Sequence, residues 1–326
     1  MGEFDNDHKG GASPFHAGES ALQARAGVQE RIERLGRVMI RDQLVDQHRE
    51  FFALLPTLLV GALDAQGQPW ASMLAGPPGF LSAPDARQLR IATLPRADDP
   101  LVAGLHVGAP VGLLGLQPHT RRRNRMNGEV TAIDAQGFEV TVVQSFGNCP
   151  KYIQARQPQW REVASNGELK TGGALLDDET RARIRNADTF FVASRSSEAR
   201  SAREGGTGLD VSHRGGKPGF IRIDDTGSHS VLVIPDFFGN LLFNTLGNLL
   251  EHPACGLLFV DYVDGGMLQL VGDGEIEWQG EDVARYVGAE RLWRFHVRGS
   301  LWRPQVLPLH WSAAEWAPQL GDLGEW

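Results

Sequence analysis

DVSHRGGKPGF, residues 210–220, is a second edition of GQPWASMLAGPPGF, which ends at Phe80. Outward from it, VGLLGL from Val111 returns as CGLLFV from Cys255, and NGEV from Asn127 returns as DGEI from Asp273. The offsets are about 140, 144 and 146 residues, so a few loop residues drift while the order of elements is kept. Two copies of one small domain are the simplest reading. A duplicated domain can build, inside one chain, the kind of cleft that homodimers form between subunits. The copies differ most at their polar residues, which implies that their sites have diverged.

The chain has 326 residues, enough for two domains that each bury a core. Its 32 Lys and Arg against 40 Asp and Glu leave a net charge of -8, which does not favour nucleic acid or an anionic membrane. Two cysteines, Cys149 and Cys255, exclude a disulfide scaffold and fit a reducing compartment. The acidic opening MGEFDNDHKGG is not a secretory signal, and Gly, Pro or charge interrupts every apolar run before it reaches membrane-spanning length. A cytoplasmic protein is expected.

Apolar spacing predicts one helix over 20–35 and a second over 40–54. TLLVGAL and PWASMLAG read as a hairpin around the turn at 64–67, and MNGEVTAID with FEVTVVQSF as a longer one around 134–137. Residues 156–173 read as a linker. The second copy should run through a helix over 177–185, TFFVASR, a polar loop from Ser196 that is a lid candidate, then GFIRI, HSVLVIP, NLLFNT, a helical turn NLLEHP, GLLFVDY, MLQLVGDGEIEW, a helix from Glu281 and closing strands. The fold expected is mainly β with peripheral helices, a small barrel in each copy. Its divisions are an N-terminal extension over 1–37, a first copy over 38–165 and a second over 166–326.

No GxGxxG, GxxxxGK, CxxC, HxxxH or GxSxG stands in a usable setting, so neither a nucleotide loop, a metal site nor a serine triad is expected. The densest chemistry is in 210–220. His213, Arg214 and Lys217 lie within five residues, and Gly215, Gly216 and Gly219 allow close backbone approach. Phosphate suits such a place, with Ser212 as a further donor. The same residues would also make a solvated turn. Asn244, Thr245 and Asn248 could donate to a ligand beside a helical N-terminus, or merely cap and solvate a short helix. Gln269 faces away from both Leu268 and Leu270, toward either a heterocycle or water. Arg121, Arg122, Arg123 and Arg125 call for an anion or for carboxylates, with the odd-numbered three on one strand face. Cys149 beside Lys151 reads as a reactive thiol or a small buried side chain, and Cys255 as core. Asp210 and Asp236 read as carboxylates beside turns without a marked partner, so no catalytic acid or base is nominated.

FFGNLLFNTLGNLLEHPACGLLF followed by MLQLVGDGEIE resembles the flavin-binding core of the pyridoxamine 5'-phosphate oxidase-like family, the FMN-binding split barrels. SFGNCPKYIQ and RRRNRMNG resemble a flavin-nucleotide-binding subgroup of it. The resemblance implies a tandem duplication of an FMN-binding split β-barrel, with FMN as cofactor. HRGGKPGFIRI would hold the phosphate, FNTLGNLLEHP the next element, and Gln269 would meet the flavin. The activity implied is an oxidoreductase acting on a small-molecule redox substrate, with NAD(P)H as a donor to weigh and a homodimer allowed for. Alternatives are a flavin carrier or an empty-barrel interaction module. The residues that clamp pyridoxine phosphate in the oxidase itself have no match here. The first copy has MLAGPPGF where the second has HRGGKPGF, and by the 146-residue offset Arg123 stands where the second has Gln269.

Overall fold

The computed structural model describes residues 12–161, 167–197 and 208–324. Helices α1 (Ala17–Arg25), α2 (Gln29–Met39) and α3 (Asp46–Ala53) precede strands β1 (Thr57–Leu63), β2 (Pro69–Ala75), β3 (Leu81–Ser82) and β4 (Gln88–Ile91). Helix α4 (Leu101–Gly104) then leads to β5 (Pro110–Gln117), β6 (Arg122–Asp134) and β7 (Gly137–Gly147). Short strands β8 (Pro158–Trp160) and β9 (Lys170–Gly172) cross to the second half. That half holds α5 (Asp178–Asn186), β10 (Thr189–Arg195), β11 (Leu209–Gly215), β12 (Arg222–Asp225), β13 (Ser230–Phe237) and α6 (Asn244–Glu251). It closes with β14 (Ala254–Val260), β15 (Met267–Glu277), α7 (Glu281–Arg285), β16 (Ala289–Arg303) and β17 (Leu309–Trp311). No helix among the described residues is long and apolar enough to cross a membrane.

The two large antiparallel sheets have one strand order. The first runs β2-β1-β5-β6-β7-β4-β3 and the second β11-β10-β14-β15-β16-β13-β12, with β9 added at β16. The motif at 210–220 takes the same turn in both. In each sheet a Pro-Gly-Phe turn follows the second strand of the first hairpin: Phe80 N–H donates to Pro77 O and Phe220 N–H to Lys217 O. Gly79 has φ +89 and Gly219 φ +90. Pro before a positive-φ glycine is the signature of a type II turn, and only glycine takes the second position without strain.

Each sheet covers its own apolar core. Phe52, Leu113, Val130 and Phe138 belong to the first and Phe190, Phe220, Leu257 and Trp293 to the second. A third core joins them: Leu59, Ala71, Met73 and Leu114 from one sheet meet Phe191, Ala193, Val211 and Leu258 from the other. The backbones touch at this seam. A Cβ on Gly112 would lie 2.6 Å from Asp210 Cα, and one on Gly256 would lie 2.4 Å from Pro69 O.

Four local expectations fail for identifiable reasons. The helix predicted over 20–35 is two, because Gly27 at φ +69 turns the chain between α1 and α2. The helix predicted from Ile40 begins only at Asp46, since Ile40 is the extended C-cap of α2. NLLFNT is not a strand: Leu241 and Phe243 take φ 62 and 63, and α6 starts at Asn244. The linker contains strands, β8 pairing with β17 and β9 with β16. Most of the lid candidate, 198–207, lies outside the described residues.

Candidate functional site

Where β6 of the first sheet faces β11 and β13 of the second, the seam opens into a cleft with a volume of about 110 Å³. The first half contributes Arg123, Arg125 and the segment Asn148, Cys149, Lys151 and Tyr152. The second half contributes Ser212, His213, Arg214, Gly215, Asp236, Arg291 and the start of α6.

The carboxylates read as partnerless are the organising groups. Asp236, on β13 and not in a turn, accepts from Arg291 Nη1 at 2.8 Å and from Arg214 Nη1. Asp210, on β11, lies 3.2 Å from Arg125 Nη1 and accepts from Asn248 Nδ2 at 3.1 Å. Arg125 also donates to Ser212 Oγ, so a first-half arginine is held by two second-half side chains. Burial pushes the Asp210 carboxyl up, and Arg125 opposes that shift. Pairing an arginine with a buried carboxylate in this way avoids an uncompensated interior charge.

Arg123 is different. Its Nε donates to Cys149 O at 2.8 Å and its Nη1 to His213 O at 3.4 Å, and no carboxylate among the described residues pairs with it. Burial lowers its basicity, Cys149 opposes that shift, and the neighbouring Arg125 and Arg214 add to it. The same forces hold His213 well below the usual imidazole range: burial first, then Arg123 and Arg214. His213 is therefore neutral at physiological pH.

Several polar atoms of cleft-lining residues are buried without a hydrogen-bond partner among the described residues. They are Asn148 Nδ2, His213 Nε2, Arg214 Nε, Arg291 Nε and Thr245 Oγ1. Native interiors leave few such groups, and a cluster of them calls for a ligand or solvent. The capping role considered for Thr245 does not apply, because Phe243 is the N-cap of α6 and no side chain caps it. The N-terminal helix buttresses this corner: Glu19 on α1 accepts from the Asn244 amide and from His16 N–H. A Cβ on Gly18 would lie 2.2 Å from Gly247 O, so α1 and α6 cross backbone to backbone.

Of the residues singled out in the sequence, Arg123, Ser212, His213, Arg214, Gly215, Asn244 and Thr245 come together at the cleft. Four do not line it. Gly216 backs onto the Phe220 ring, Lys217 Nζ donates to Leu323 O at 2.9 Å, Asn248 lies behind with Ser194 and Asp210, and Gln269 is fully buried elsewhere on the seam. Arg121 is held by Glu315 at 3.0 Å, Arg122 is exposed, and Lys151, in the cleft lining, sets its Nζ over the Phe238 ring. Cys149 is half-buried with Sγ 3.7 Å from Arg123 Nη2, and Cys255 is core as expected. Sequence reasoning missed Asp236 as an anchor, and missed Arg291, Asn148 and Tyr152. Asn148 and Tyr152 stood inside the quoted SFGNCPKYIQ, but nothing local ties Arg291 to Asp236.

Comparison with known proteins adds likeness rather than identity. No family model matches the chain, and no curated protein sequence matches it. The solved structure of HupZ from Group A Streptococcus is similar at a TM-score of 0.28 and 14% identity, over 38% of this chain and 90% of that one. A candidate pyridoxamine 5'-phosphate oxidase from Lactobacillus delbrueckii gives 0.29 and 10%, over 39% and 93%. An FAD-binding protein from Mesorhizobium loti gives 0.26 and 11%, over 41% and 97%. At these scores the likenesses carry no argument about the site.

Proposed function

We propose that the chain is an FMN-binding flavoprotein, built as a tandem duplication of a split β-barrel of the pyridoxamine 5'-phosphate oxidase-like superfamily, and acting as an oxidoreductase on a small redox substrate. One observation carries the reading. Arg123, a cation without a carboxylate, shares a cleft with five buried polar atoms that have no partner in the described protein. Phosphate oxygens accept from several donors at once, and charge-assisted bonds of this kind are the strong class.

The residues fit such a group in kind and in part in size. Arg123, Arg214, Thr245 and the Asn148 amide would hold the phosphate end, and the amides opening α6 add donors. A cleft volume of about 110 Å³ takes a phosphate, whereas small-molecule sites generally span ~300–1,000 Å³. Admitting the rest of FMN requires the mouth to open. Tyr152, in the cleft lining, donates from Oη to Phe238 O at 3.3 Å, and we take this bond as the latch.

Bound flavin would supply hydride or electron transfer. The chain's own part is to neutralise the phosphate, to fix the ligand's orientation and to exclude water. Of the carboxylates lining the cleft among the described residues, Asp236 is committed to Arg214 and Arg291 and Glu290 pairs with Arg291 at 2.7 Å, while Asp210 behind them is paired with Arg125, so each is already held by an arginine. That commitment favours, as a second reading, a carrier that holds flavin without turnover.

A visible spectrum of freshly purified protein, with release and identification of the chromophore, tests the reading. Released FMN supports it, and a colourless protein that ignores added FMN overturns it. Rapid bleaching by NADH or NADPH then separates enzyme from carrier.

A further inference from the structure

Around β6 and β15 the two sheets share their pairing registers as well as their order, so the strand residues there have counterparts. One row of paired residues crosses the first sheet as Met73, Leu59, Leu114, Arg125 and Phe146. The matching row in the second is His213, Phe191, Leu258, Gln269 and Leu301. Arg125, and not Arg123, is therefore the counterpart of Gln269. Leu74 stands for Arg214, Met267 for Arg123, and Arg303 for Asn148.

The relation is reciprocal across the seam. Arg125 of the first half reaches Ser212 on β11, while Gln269 of the second half reaches β2, donating to Ala71 O at 2.8 Å. A second cleft would thus lie beside Gln269, Met73 and Met267. The side chain of Arg303 is there instead. Its Nη1 donates to Gln269 Oε1, its Nη2 to Asp98 O, and its Nε lies 3.5 Å from Asp98 Oδ2. Met73, Met267, Gln269 and Arg303 are 5%, 2%, 0% and 2% exposed, so this corner is closed to solvent.

We infer that Arg303 is a built-in plug: its guanidinium fills and neutralises the second of two equivalent clefts, and the chain takes one flavin-sized anionic ligand. The inference about stoichiometry rests on the proposed function, while the plug does not. Apolar Met73, Leu74 and Met267 complete the seal, because they replace His213, Arg214 and Arg123 with side chains that cannot hold an anion.

Two measurements on the full chain decide it. Calorimetric titration with FMN is expected to give one site per chain, in the native protein and in Arg303→Ala alike; two sites in the native protein would overturn the inference. Arg303→Ala leaves Gln269 Oε1 and Asp98 O without their donor, and is expected to lower the thermal midpoint by about 5 °C or more. Millimolar methylguanidinium should restore most of that loss in Arg303→Ala and do nothing for the native protein. An unchanged midpoint, or no recovery, would sink the plug. If Arg303→Ala is insoluble, Arg303→Lys takes its place; it keeps the charge and stem without the fork, and an undiminished midpoint there would equally overturn the assignment. If FMN does not bind at all, the proposed function fails and the midpoint data still decide the role of Arg303.

Discussion

Arg214 shows how one residue divides its duties. Its Nη1 is committed to Asp236 while its Nε, buried and bordering the cleft, has no partner among the described residues. Arg214→Ala is expected to weaken FMN retention by about tenfold or more, since a charge-assisted bond is lost. Fluorescence titration of the folded variant checks this, and an unchanged affinity would remove Arg214 from the ligand's grip. Glu19 makes a pH prediction. Burial, partly opposed by His16 and Asn244, raises its pKa from 4.5 to about 7. The folded chain thus keeps a proton that the unfolded chain releases, so this group's stabilisation is full below about pH 4.5 and is lost as the pH rises toward 7. Gln keeps the capping-box geometry without the charge. Glu19→Gln should therefore raise stability at about pH 8 by up to about 3 kcal/mol and change little at about pH 5. Urea melts at both values decide, and an equal effect at the two would refute the shift. The sequence displayed the cations of β11, because strand neighbours sit side by side in it. It concealed Asp236 as their anchor, because Arg214 and Arg291 reach that carboxylate from different strands.

At the scale of elements, the mouth of the cleft is held in conformations that residues with a Cβ seldom adopt. Tyr152, Leu241 and Phe243 have φ 62, 62 and 63 and all border the opening. Such strain costs of order 1–3 kcal/mol per residue and gathers at ligand clamps and switches. It also explains why NLLFNT misleads: an apolar run with neither Gly nor Pro carries no local mark of two left-handed turns. Tyr152→Phe removes the donor that ties the mouth to Phe238 O. FMN association is expected to quicken by up to about fivefold, the worth of about one hydrogen bond. Stopped-flow mixing reads the rate directly, and an unaltered rate would show that the latch does not limit entry. Helices are the less legible elements for a related reason. The break between α1 and α2 rests on one glycine, which periodicity alone passes over.

For the molecule as a whole, the seam is the feature to test. Gly112 and Gly256 are counterparts, pairing with Gly61 and Ala193 in the same row of each sheet, and each lets the other half's backbone approach. Gly112→Val and Gly256→Val should each cost about 1–3 kcal/mol by overpacking. Each should also broaden a single thermal transition into two, seen by calorimetry, if the halves are forced apart while their own cores persist. A tolerated valine at both would mean that the seam yields more easily than its contacts suggest. The likeness of the two sheets was legible because the Pro-Gly-Phe turns leave a fixed chemical imprint. The registers were not, because loops of unequal length shift any counting along the chain. Counting by motif offset put Arg123 opposite Gln269, two residues from the partner that hydrogen bonding selects. The segment between β7 and β10 has a further consequence. Separate subunits must find one another, and dilution parts them. Halves on one chain meet at an effective concentration set by their connection. The cleft therefore keeps both walls however scarce the protein becomes, and its affinity for a ligand carries no contribution from assembling them.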